Sequence, residues 1–193
     1  MIIAGIDYSM NGPSICVYHG VDAYTGEDSD VFSFENCSFF YLTGVKRYAN
    51  TFLGNIRGEP FSVVDSEDER YDCISGWACD IITRYKCEQV ALEGYSYGSK
   101  GKVFHIAENT GVLKYKLYQN SIPVDIIAPT TVKKFATGKG NADKEMMHES
   151  FLEETGKNLK EIITPLKSKI SNPVSDIVDS YYICKSFYER LTS

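Results

Sequence analysis

The run Ile2-Ile3-Ala4-Gly5-Ile6 contains no polar side chain until it meets Asp7. An apolar stretch without alternation suits a central strand buried on both faces, and that places it inside a sheet covered by helices on either side. Ser9-Met10-Asn11-Gly12-Pro13 is turn chemistry, after which Ser14 to Tyr18 reads as a second strand and Val31 to Leu42 as a third. Short links between the three favour an antiparallel meander.

Residues 43–66 carry Gly44, Gly54, Gly58 and Pro60 and read as a loop or variable insertion. Ser66 followed by Glu69 is a capping box, and it predicts a helix to about Lys86 with Ile74, Trp77, Ala78, Ile81 and Ile82 on its apolar face. Gln89 to Glu93 is the next buried strand. A Gly/Ser/Lys loop from Gly94 to Gly101 leads into a helix at about 103–120, and Val124 to Ile127 is a fifth strand. Pro129 starts a helix, Gly138-Lys139-Gly140 interrupts it, and Ala142 to Thr155 forms another. Residues 156–172 are ambiguous, and Pro173 opens a last helix over about 174–190. The predicted class is α/β: one domain over 1–193, with a five-stranded mixed sheet and helices on both faces.

The chain of 193 residues has no apolar run near the length of about 20 residues that a membrane span needs. Its start lacks the basic flank of a signal peptide, so an intracellular, cytoplasmic protein is expected. The six cysteines show no C-x-x-C pair and read as small core residues. His105 and His148 read as helix-surface residues. The net charge of −6 is unevenly spread: residues 1–99 carry −9, residues 100–169 carry +4 and residues 170–193 carry −1. In the basic stretch Lys100, Lys102, Lys133, Lys134, Lys139 and Lys144 sit on loops or helix starts, where neutralising DNA phosphates is one use and a solvated surface the other.

Asp7 and Glu93 each end a buried strand, and Asp176 and Asp179 lie three apart on one face of the last helix. If the first and fourth strands are parallel neighbours, both strand acids sit at the carboxyl edge, where open α/β sheets put their sites. Alone, each acid is better explained by a turn or helix cap, an exposed strand end or a solvated helix face. Together they cannot all stay ionised in a dry site without a counter-charge. An all-oxygen set selects Mg²⁺ or Mn²⁺ over zinc, and two such ions can drive phosphodiester hydrolysis.

Ile3 to Ser9 with Pro13-Ser14-Ile15 resembles the first strand and turn of the RuvC-type Holliday-junction resolvases, and Ala91-Leu92-Glu93 resembles their second acidic motif. Ala128 to Lys134 with Thr137 to Lys144 is similar to their proline-to-lysine segment, and Asn172 to Ser180 to their closing acidic helix. The motifs run in family order, leaving 43–66 and 156–170 without a counterpart. The resemblance implies an RNase H-like fold, a homodimer and Mg²⁺-dependent symmetric nicking of four-way junctions in DNA recombination and repair. It implies two metal ions held by Asp7, Glu93, Asp176 and Asp179, a catalytic or phosphate-contacting role for Lys144, and a DNA contact for Lys133. The turn Tyr8-Ser9-Met10-Asn11-Gly12 departs from the usual Pro-Gly start. Ser96 replaces the aromatic expected three residues after the second acid, so either Tyr95 or Tyr97 is the candidate to stack on an opened base. These departures resemble a divergent, viral-type member, whose setting would be the host cytoplasm.

A sugar-kinase or actin-like ATPase also begins with a strand, an acid and a Gly turn but needs two such domains. A broader branched-DNA or flap nuclease, and a relative that binds nucleic acid without cutting it, are the remaining alternatives.

Overall fold

The computed structural model describes all residues except 23–24, 28–30, 62–63 and 96–102. The elements run in the order β1 (Ile3–Asp7), β2 (Ser14–Tyr18), β3 (Cys37–Thr43), β4 (Thr51–Leu53), β5 (Ile56–Pro60), α1 (Glu67–Arg84), β6 (Gln89–Glu93), α2 (Val103–Gln119), β7 (Val124–Ile127), α3 (Pro129–Thr137), α4 (Lys144–Thr155), α5 (Leu159–Ile163) and α6 (Val174–Thr192). One mixed sheet of seven strands has the order β4-β5-β3-β2-β1-β6-β7. β1 is antiparallel to β2 and β2 to β3, as the short links favoured, and β1 is parallel to β6, which meets the condition set for Asp7 and Glu93 to share an edge.

The expected five strands are seven because the segment read as an irregular insertion folds. After a tight turn at 45–49, β4 and β5 form an antiparallel hairpin, and β5 pairs parallel to β3. The two residues between the strands are Gly54, with φ +60°, and Asn55. Such a pair matches the left-handed geometry of a two-residue hairpin turn. Conversely, β3 starts at Cys37 rather than Val31. The Ser33 hydroxyl accepts from the Asn36 amide, and the Phe34 carbonyl from the Cys37 amide, so the chain turns there instead of pairing.

Two apolar layers flank the sheet. Ala4, Ile6, Ile15, Val90 and Leu92 pack under α1 and α2, while Ile3, Cys16, Phe39 and Ala91 pack under α3–α6. α6 lies directly on β1. A Cβ at Gly5 would stand 2.2 Å from the Cys184 backbone nitrogen, an approach only glycine permits. One turn closer to the helix start, the Ser180 hydroxyl is 3.1 Å from that of Ser14, the residue paired with Asp7. The first turns of α6 therefore stand over the carboxyl edge of β1.

All six cysteines are free. No helix among the described residues is long and apolar enough to cross a membrane. His148 is buried rather than on the surface, its Nε2 accepting from the Lys160 amide, whereas His105 is exposed on α2.

Candidate metal and nucleic-acid site

Strand parity aims two of the acids. Asp7 shares a face with Ile3 and Gly5, and Glu93 with Ala91, which is the face α6 covers. The parallel register pairs Ile6 with Leu92, so the next residues, Asp7 and Glu93, stand side by side at the strand ends. α6 brings Asp176 and Asp179 down onto the same edge.

Burial raises the Asp7 carboxyl well above its ordinary range, and the charges of Asp176, Asp179 and Glu93 raise it further. Glu93 is pushed up to about 7 by burial and Asp179. Asp176 reaches about 7 through burial and Asp179, with Lys144 and Ser175 acting to lower it. Burial raises Asp179 to about 6 against the opposing charges of Lys144 and Lys133. Asp7 thus lies within electrostatic reach of three carboxyls from two other elements. Among the described residues, no three His, Cys, Asp or Glu side chains stand as close as a closed metal cage requires. The donor set is nonetheless all oxygen, and Asp176 Oδ2 is buried with no hydrogen-bond partner. A buried carboxylate oxygen left unpaired is costly unless a cation or proton takes it, so these residues fit a hard divalent ion.

The turn after β1 backs onto this oxygen: a Cβ at Gly12 would stand 3.2 Å from Asp176 Oδ2. Asp176 Oδ1 accepts from the Ser175 hydroxyl at 3.2 Å. Lys144, at the start of α4, donates to Ser175 Oγ and to Asn172 Oδ1, each at 3.0 Å. It reaches the acids through Ser175 rather than by a direct ion pair. Ser175 and Asn172 are the positions that residue-by-residue reasoning left without a role.

Of the predicted DNA-contacting residues, Lys133 on α3 lies close enough to lower both Glu93 and Asp179. Lys134 and Lys139 are exposed and belong to a shallow depression with Phe135 or to the turn after α3; neither acts on the acids. Tyr95 is exposed and lines a cavity of about 510 Å³ together with Asp7, Glu93, Met10, His105 and Ile106. Tyr97, Lys100 and Lys102 lie outside the described residues.

A family model described as crossover junction endodeoxyribonuclease RuvC matches residues 61–173, more than half of the chain. The chain belongs to the RuvC family. A RuvC of Corynebacterium diphtheriae, a crossover junction endodeoxyribonuclease, is 32% identical over 80 residues, which is 41% of this chain and 47% of that protein. The alignment thus spans about half of that relative. Thermus thermophilus RuvC in complex with Holliday junction substrate superposes with a TM-score of 0.61 at 18% identity, covering 100% of this chain and 96% of the other. Fowlpox virus resolvase, solved with substrate Holliday junction DNA, gives 0.51 at 18% identity, covering 100% of both chains. The fold is accordingly the RNase H-like one of the RuvC resolvases, with a sheet of seven strands.

Proposed function

We propose that this RuvC-family chain is a divalent-metal-dependent endonuclease that resolves four-way DNA junctions. The observation that carries it is that the buried Asp7 carboxyl lies within electrostatic reach of Glu93, Asp176 and Asp179, each itself raised by burial, with Asp176 Oδ2 left without a partner. In this reading the four acids hold two Mg²⁺ ions, with Mn²⁺ able to substitute. When bound, such ions activate a water and stabilise the leaving oxygen of a phosphodiester. Ser175 fixes the rotamer of Asp176 and ties it to Lys144, whose ammonium faces the approaching phosphate. Lys133 offsets the charge of Glu93 and Asp179 and offers a second phosphate contact, with Lys134 and Lys139 further out. Tyr95, which lines the cavity beside the strand acids, is the residue proposed to stack on an opened base.

The partner proposed for cutting two strands symmetrically is a second copy docked on α2. Leu113 and Leu117 are fully buried against the sheet, whereas Phe104, Tyr115 and Tyr118 are 79%, 62% and 78% exposed. A Cβ at Gly111 would meet nothing, so no packing among the described residues explains a mid-helix glycine that costs about 1 kcal/mol. At about 100° per residue these side chains fall within about 60° of Gly111. A two-fold axis through Gly111 sets Phe104 opposite Tyr118, Ala107 opposite Tyr115 and Glu108 opposite Lys114: aromatic on aromatic, small on large, acid on base.

Synthetic four-way junction, flap and duplex DNA should be compared with Mg²⁺. The expected result is paired symmetric nicks in the junction and little cutting of the others. Equal cutting of all three would make the chain a broader branched-DNA nuclease, and no cutting would overturn the proposal.

A further inference from the structure

We infer that the turn carrying Lys46 and Arg47, together with the groove it borders, is a second DNA-backbone site in addition to Lys133 and Lys144. β3 runs in the same direction as β1, so its end delivers the turn to the same sheet edge as Asp7 and Glu93. A groove of about 400 Å³ begins at Asp176 and runs outward past Gly12 and Asn172 to Val45, Phe61 and Arg70. Asp176, at the inner end, is the one carboxylate among the lining residues, and Arg70 the one cation.

Arg70 is held in place rather than mobile. It donates to the Met10 carbonyl and to Asn11 Oδ1 and lies over the Phe61 ring, its Nε 4.0 Å from a Glu67 oxygen without a hydrogen bond. The turn is equally fixed. The Tyr48 carbonyl accepts from the hydroxyls of Tyr41 and Thr51, each at 2.8 Å, and the Tyr48 side chain is buried. Lys46 and Arg47 stand on this anchored turn, exposed and in no ion pair among the described residues.

The placement runs against the chain's charge. Residues 1–99 carry 15 Asp/Glu and only 6 Lys/Arg, yet three of those six, Lys46, Arg47 and Arg57, fall between 44 and 60. A cationic turn opening onto a groove that ends at the candidate metal ligands suits a polyanionic strand. A strand crossing the acids would then be held by Lys133 and Lys144 beside them and by Arg70, Lys46 and Arg47 at the outer end of the groove. The inference rests on the junction-cleaving reading.

The test is the affinity of the full chain for a synthetic four-way junction in Ca²⁺, measured against KCl concentration for the wild type and for Lys46→Ala/Arg47→Ala. Two lost phosphate contacts should flatten the log–log salt slope by about 1.8, so between 50 and 200 mM salt the wild type loses about twelve-fold more affinity than the variant. Lys46→Arg/Arg47→Lys should retain the wild-type slope, and thermal melting should be unchanged because both side chains are exposed. An unchanged slope in the alanine variant, with the wild type binding normally, overturns this inference alone. A wild type that neither binds nor cuts the junction overturns the proposed function with it.

Discussion

Replacing Asp176 by Asn should stabilise the metal-free protein at pH 8, although the residue is among the most buried polar groups. The Asp176 carboxyl is 5% exposed, its Oδ2 has no partner, and it titrates near 7 against an ordinary 3.8. Burial is the main cause, with Asp179 adding to it. Between pH 4 and 7 the folded state therefore binds a proton that the unfolded state releases, and stability falls as pH rises through that window. Three units correspond to about 4 kcal/mol once pH exceeds 7. An Asn amide nitrogen left without an acceptor costs back about 1–2 kcal/mol, leaving a net gain of about 2 kcal/mol. For a chain of this size that is about 4–8 °C in Tm. Thermal melts in EDTA at pH 8 should show the gain in full; at pH 3, where both states carry the proton, only the amide cost remains and the variant should be the less stable by about 1–2 kcal/mol. Mg²⁺ should raise the wild-type Tm more than that of the variant. A variant less stable than the wild type at pH 8 in EDTA, or equally favoured at both pH values, would refute the reasoning.

Gly5→Ala should destabilise by about 3 kcal/mol or more in urea titration, because its Cβ meets the α6 backbone at 2.2 Å. Glu108→Lys should shift the oligomer toward monomer in sedimentation, and adding Lys114→Glu should restore the dimer by re-pairing the charges across the two-fold axis; failure to restore it removes α2 from the interface. Lys144→Ala should slow single-turnover cleavage while moving junction affinity by less than about ten-fold, since one phosphate contact is lost.

Much of the fold was legible because burial on both faces leaves an unmistakable mark: Ile2–Ile6 and Val90–Leu92 read as central strands, and their parallel pairing follows from the crossover helix α1. The pairing brings Asp7 and Glu93 together, and period-three spacing put Asp176 and Asp179 on one helix face. The hairpin at β4–β5 was masked by its glycines, yet Gly54-Asn55 is itself a two-residue turn signal. His148 read as a surface residue because sequence does not show that α5 folds back over α4. The link from Lys144 through Ser175 to Asp176 depends on how α4 meets α6, which no local pattern encodes. Summing charge over long segments hid Lys46 and Arg47 among the acids around them.

Single-turnover cleavage of a four-way junction in Mg²⁺ by Asp7→Asn, Glu93→Gln and Asp179→Asn, with binding measured on the same DNA, tests the role of these acids most directly. Each variant should bind nearly as the wild type does and leave the junction uncut. Full-rate cutting by all three would contradict the claim that these acids are the chemical centre.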